Sequence, residues 1–136
     1  MFSLFRRKKK PAAEMIADIT NGPGTYSIDV VGESHYQRAL SKVCGGHSKD
    51  GHRLKVEAFL VPEDTNPYDK KAVMVVIERE TVGYLDRETA RSFRKELAKI
   101  APPGTIAKCQ GMVVGGWDDG MGDKGHFGVK LDLPTG

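Results

Sequence analysis

The sequence predicts a mainly β, α+β fold: a small, curved, mostly antiparallel sheet or barrel of about six strands, its open sides covered by two short helices. Three observations predict it. Apolar residues alternate with polar ones around Ile28, along 54–60 and along 127–133, the period of a half-buried strand. Ala72-Val73-Met74-Val75-Val76-Ile77 is continuous and largely β-branched, as a central strand is. Only the stretches near 36–43 and 90–100 carry long helical spacing inside the body of the chain, and turn residues separate all of these segments.

Taken in order, residues 12–19 read as a short helix that Asn21-Gly22-Pro23-Gly24 breaks. Tyr26, Ile28 and Val30 alternate with Ser27 and Asp29, and Gly32 ends that strand. Tyr36, Ala39, Leu40 and Val43 recur at helical spacing, with Ser34 as the expected N-cap and Gly45-Gly46 as the stop. Leu54, Val56, Ala58 and Leu60 form the next strand, closed by Pro62. A loop over 63–69 leads into the apolar run, and 81–85 returns as its hairpin partner. Asp86 caps a helix whose apolar face is Ala90, Phe93, Leu97 and Ile100, and Pro102-Pro103-Gly104 ends it. A fifth strand over 105–115, a glycine-rich loop around Trp117 and a last strand over 127–133 complete the series.

A chain of 136 residues fits one domain with a core of its own. The division expected is a flexible basic arm over 1–25 and a barrel over 26–133. The net charge of +3 is uneven: Arg6 to Lys10 supply five positive charges, and the remaining 16 basic residues face 18 acidic ones, a balance of −2. Any nucleic-acid contact in the body is therefore a local site and not a broad basic face. No apolar run approaches the roughly 18–20 residues of a transmembrane helix. The start Phe2-Ser3-Leu4-Phe5 is too short for a signal sequence, and its basic run follows the apolar one. Cys44 and Cys109 make no disulfide framework, so a reduced, cytoplasmic setting is expected.

Catalytic and metal chemistry find little support. Cys44, His47 and His52 offer one Cys-x-x-His without a matched second pair. The glycine-rich loop lacks the Gly-Lys-Ser/Thr ending of a phosphate loop. Asp64, Asp69, Asp118, Asp119 and Asp123 show no spacing that forces them onto one ion. Ser34 and His35 are adjacent without a nucleophile elbow. No catalytic residue, metal ligand or cofactor is assigned. What remains is Asn66-Pro67-Tyr68-Asp69-Lys70-Lys71. This is good turn chemistry in its own right, because Pro67 fixes φ and Asn66 and Asp69 bond nearby backbone. Functionally, it offers a stacking ring, a hydroxyl acceptor and two phosphate-binding cations, the means by which single strands are held without base readout.

Three blocks carry a family resemblance: Val30-Val31-Gly32-Glu33-Ser34-His35-Tyr36-Gln37, the stretch from Val61-Pro62-Glu63-Asp64-Thr65 through Asn66-Pro67-Tyr68-Asp69-Lys70-Lys71 to Ala72-Val73, and Val82-Gly83-Tyr84-Leu85. In this order the chain resembles a HIRAN domain, a module found alone in bacterial and phage proteins and at the N-terminus of some eukaryotic DNA-repair translocases. The resemblance implies a modified OB-like β-barrel that binds the 3′ end of single-stranded DNA. By that resemblance His35 or Tyr36, together with Tyr68, would stack on terminal bases, and Asp69 would accept from the 3′-hydroxyl. Asn66 and Lys70 would hold the adjacent phosphate, Tyr84 and Arg87 would line the groove, and Phe127 would form its far wall. Ser34-His35-Tyr36 departs from the Arg-Tyr-Tyr of DNA-binding eukaryotic members.

The function expected is a non-enzymatic DNA-binding accessory module that recognises single-stranded 3′-OH ends in repair or recombination. Its expected partners are DNA ends and a helicase, nuclease or other repair protein, with no small-molecule substrate and no membrane. The rival readings are a protein–protein interaction domain using the same groove and a metal-dependent nuclease.

Overall fold

The computed structural model describes residues 15–134. Their order is β1 (Ile16–Asp18), β2 (Ile28–Asp29), a 3-10 turn (Glu33–His35), α1 (Gln37–Cys44), β3 (His52–Pro62), β4 (Val73–Ile77), β5 (Glu80–Tyr84), α2 (Arg87–Ala98), β6 (Ile106–Gly115) and β7 (Phe127–Asp132). The strands form one curled, seven-stranded sheet in the order β2-β7-β6-β3-β4-β5, with β1 lying parallel on β6. The long β3–β6 pair is its spine, running in antiparallel register from His52↔Gly115 to Leu60↔Ala107. The mainly β, OB-like architecture expected from the alternation is thus the one adopted.

The two edges of the sheet meet. Val31, just beyond β2, exchanges both backbone hydrogen bonds with Tyr84 at the end of β5, at 2.8 and 2.9 Å. Gly83 makes this approach possible. Its φ is 153°, and a Cβ there would strike the Val30 side chain and sit 2.7 Å from the Val31 carbonyl oxygen. The core lies inside the curl. Leu60, Val73, Val75, Ile77, Val82, Val113, Val129 and Leu131 are buried, with Leu40 from α1 and Ala90 and Leu97 from α2 plugging the open sides. The alternation seen in the sequence thus becomes an inward and an outward face of each strand.

Four expectations need correction. Within 12–19, residues 12–14 lie outside the described set, and Ile16–Asp18 is a strand instead of a helix. It takes the stretch of β6 that β7 does not reach, pairing Ile16↔Ile106 and Asp18↔Lys108. The strand count among the described residues is therefore seven. Strand β2 shrinks to two residues because Tyr26 turns out of the extended region, with φ 48°. Ser34 does not cap α1: it sits inside the 3-10 turn, and Tyr36 takes the cap position without a side-chain bond. The Gln37 amide anchors this end instead, donating to the Glu33 and Phe127 carbonyls (both 2.9 Å) and accepting from the Phe127 amide (2.8 Å). Ile100 lies past the end of α2 and is exposed. Asp86 caps α2 as expected, accepting from the Thr89 amide at 2.8 Å.

Candidate nucleic-acid interface

The 66–71 turn is built from its own side chains outward. Asn66 Oδ1 accepts from the amides of Tyr68 (2.8 Å) and Asp69 (3.0 Å), an Asx turn that aims Tyr68 away from the barrel. The result is a tyrosine 89% exposed on a fixed backbone. Asn66 is itself fixed, because its Nδ2 donates to Glu63 Oε1 at 2.7 Å. The same carboxylate oxygen accepts from the Tyr84 hydroxyl at 3.0 Å. Burial, the Glu63 hydrogen bond and charge, and then neighbouring Tyr36 push the Tyr84 phenol up to about 12. It therefore stays a neutral donor at physiological pH. Tyr84, Glu63 and Asn66 form one hydrogen-bonded row, with Tyr36 beside Tyr84, at the mouth where the sheet edges meet.

Asp69 lies at the end of that row, its side chain 16% exposed. Oδ1 accepts from the Lys71 amide at 2.9 Å and lies 3.5 Å from Arg91, while Oδ2 lies 3.4 Å from Arg87. The Lys71 amide first, and then Arg91, Arg87 and Arg94, hold its carboxyl below the usual carboxylate value against the opposing effect of burial. The hydrogen bonds from Lys71 and Arg91 both fall on Oδ1, and Oδ2 carries only the Arg87 ion pair, so acceptor capacity remains on Oδ2. Arg94 completes the frame from α2. Its Nε and Nη2 donate to the carbonyls of Lys71 and Ala72, and its Nη1 pairs with Asp64, each at 2.8 Å.

The structure brings together most of the residues expected from the sequence. Tyr36, Asn66, Tyr68, Asp69, Tyr84 and Arg87 share the turn and the mouth. Lys70 is exposed on the turn, and His35 is exposed in the 3-10 turn just before Tyr36. Phe127 sits beside the 3-10 turn and lines a pocket with Glu33, Ser34, Gln37, Trp117 and His126. It is 1% exposed, and its ring packs against His47 (centroids 4.9 Å apart) and His52 (5.7 Å). Its backbone supports the 3-10 turn through the Gln37 side-chain amide. Glu63, Arg91 and Arg94 are the residues that sequence reasoning passed over. Arg91 and Arg94 reach partners far along the chain, and Glu63 reaches Tyr84 as well as the nearby Asn66; only the run of arginines on α2 at spacings of four and three hinted at the first two.

The rival chemistries find other structures. His52 Nε2 bonds the Gly46 carbonyl at 2.9 Å, and among the described residues no three His, Cys, Asp or Glu side chains come together to hold a metal ion. Cys109 is fully buried, and burial pushes its thiol up to about 12. Trp117 lies over Gly125 and donates to Asp123 at 3.2 Å, and it is still 39% exposed. Among the described residues no helix is long and apolar enough to cross a membrane.

Fold and mouth together define a small, curled β domain with an aromatic and ionic cluster at its seam. The family model described as the HIRAN domain matches residues 23–114, and the chain belongs to that family, one associated with DNA binding. No curated protein matches the chain, and no solved structure does.

Proposed function

We propose that this chain is a non-enzymatic accessory module that holds single-stranded DNA by its 3′-OH end, in the setting of repair or recombination. The observation that carries this reading is the 66–71 turn: an exposed Tyr68 beside a carboxylate that keeps acceptor capacity on Oδ2 and is flanked by two arginines. A terminal base stacks on Tyr68, with Tyr36 and His35 on the opposite lip. The 3′-hydroxyl donates to Oδ2 of Asp69. Arg87 and Lys70, with the Asn66 turn behind them, face the adjacent phosphate.

The carboxylate supplies the end preference. It accepts from a hydroxyl but repels a 3′-phosphate, and it leaves no room for a continuing phosphodiester. Helicase, nuclease and other repair partners belong to this proposal as the proteins that would use a captured end. So do a cytoplasmic location and a barrel preceded by a basic arm.

Fluorescence anisotropy tests the proposal with a strand ending in 3′-OH, the same strand with a 3′-phosphate, and a circular strand as competitor. The free 3′-OH strand binds tightest, and Asp69→Asn narrows its advantage over the 3′-phosphate strand. Equal binding of all three probes by the wild-type chain would refute end recognition. An unchanged preference in Asp69→Asn would remove Asp69 from the role.

A further inference from the structure

A second cleft lies away from this mouth, on the outward faces of β3, β6 and β7. It encloses about 480 Å³ and is lined by Gly24, Thr25, Tyr26, Arg53, Lys55, Met112 and Lys130. Strand register explains the cluster. Lys55 pairs with Met112, which pairs with Lys130, and Arg53 lies two residues along the same outward face of β3. Three cations therefore project from adjacent rows of one sheet face.

The fourth wall is made by a buried acid. Asp132 is 3% exposed, and its carboxylate accepts from the amides of Gly24 (2.9 Å), Thr25 (3.1 Å) and Tyr26 (3.3 Å). These bonds clamp residues 24–26 beside the cations and hold Tyr26 in the left-handed region at φ 48°. A bulky residue there is a genuine outlier that the surrounding contacts must maintain. With Asp132 consumed by backbone amides, the only carboxylate paired to the cluster among the described residues is Asp29, 2.7 Å from Lys130. Arg53 and Lys55 have no ion-pair partner among the described residues.

We infer that this cleft is a second nucleic-acid contact, in which Arg53, Lys55 and Lys130 take backbone phosphates and Tyr26 supplies a face for a base. The chemistry is that of sequence-independent strand binding, cations along a groove with an aromatic beside them. It involves no strand end, so it stands or falls independently of the 3′-end pocket. In a body whose charge is slightly negative, it is a local concentration of positive charge set apart from the arginines of α2.

The test uses the full chain and a circular single strand, which offers no end. Arg53→Gln/Lys55→Gln removes two phosphate contacts. The slope of log affinity against log salt should become shallower by about 1.4, and affinity at 0.1 M salt should fall about 25-fold. A short 3′-OH oligonucleotide of about four nucleotides, the low end of the site sizes known for such barrels, should bind the variant as it binds the wild type. Tyr26→Leu should weaken circular-strand binding with the slope retained. An unchanged slope and affinity for the circular strand would overturn the inference. So would an equal loss for the short oligonucleotide, which would assign the cations to the end pocket. A loss of phosphatidylserine-vesicle binding with strand binding intact would assign them to a lipid surface, and would overturn it as well.

Discussion

Arg94→Met tests whether α2 is the frame of the 66–71 turn. The Arg94 side chain is 18% exposed and makes three bonds of 2.8 Å, to the carbonyls of Lys71 and Ala72 and to Asp64. Methionine keeps most of the packing volume and removes all three. The Ala72 carbonyl retains the Glu63 amide at 2.9 Å, so its loss is partial. The Lys71 carbonyl returns to water. Asp64 is 74% exposed, so its ion pair is worth about 0–1 kcal/mol. Adding the two charge-assisted backbone bonds at about 1 kcal/mol each in this half-exposed setting gives about 2–3 kcal/mol. For a domain of this size that is a fall in Tm of about 8–12 °C. Urea unfolding of wild type, Arg94→Met and Arg94→Lys measures it. Lysine restores the charge but not the fork, so it should recover at most about 1 kcal/mol. Strand binding at 20 °C, well inside the folded range, should weaken in step as the turn loosens. An Arg94→Met chain within about 0.5 kcal/mol of wild type, the range of an ordinary surface change, would refute the reasoning.

Three further outcomes follow from the geometry. Tyr68→Ala should lower single-strand affinity by about 1–3 kcal/mol, the worth of one stacked base, with unfolding unchanged because the ring touches little of the protein; anisotropy and a thermal melt read the two sides. The raised Tyr84 phenol means that its contribution to stability is full below about 10 and is lost as pH rises through about 12. Urea titrations from pH 9 to 12 should therefore show a decline that is shallower in Tyr84→Phe. Gly83→Ala should cost about 3 kcal/mol, because the added methyl meets Val30 and the Val31 carbonyl at the seam; equilibrium unfolding checks it.

Much of the barrel was legible because β3, β4 and β7 each carry their face in their own residues. Leu54, Val56, Ala58 and Leu60 alternate whatever they pair with, and Val73–Ile77 is apolar enough to be central. Strand β1 was not legible. Ile16-Ala17-Asp18 is too short to show a period, and what makes it a strand is the unpaired stretch of β6 about 90 residues away. Ser34 had the chemistry of a cap but lost the position to a 3-10 turn whose anchor, Gln37, bonds across to β7. The turn at 66–71 could be read because Asn66 and Asp69 act on their immediate neighbours. Arg94 acts on partners 22 to 30 residues distant, and Glu63 joins the nearby Asn66 to Tyr84 21 residues away, so their spacing alone did not distinguish them from ordinary surface charge. Phe127 alternated correctly as a strand residue. Its ring is buried, and its backbone anchors the Gln37 side chain of the neighbouring lip.

The seam between Val31 and Tyr84 has a consequence for how such a pocket would respond to its occupant. Tyr84 contributes its main chain to the seam and its hydroxyl to the polar row, so one residue belongs to both the fastening and the lining. The fastening consists of two hydrogen bonds, whereas the β3–β6 spine on the other side of the barrel has nine registered pairs. Thermal breathing will therefore concentrate at the seam, parting the lip that carries His35 and Tyr36 from the one that carries Tyr68 and Asp69. On the proposed function, a strand laid across both lips would act as a latch, with its binding energy spent partly on suppressing that breathing. The amides of Val31 and Tyr84 become the chain's own reporters of occupancy, slowing in hydrogen exchange when the latch is shut while the spine behind them stays as it was.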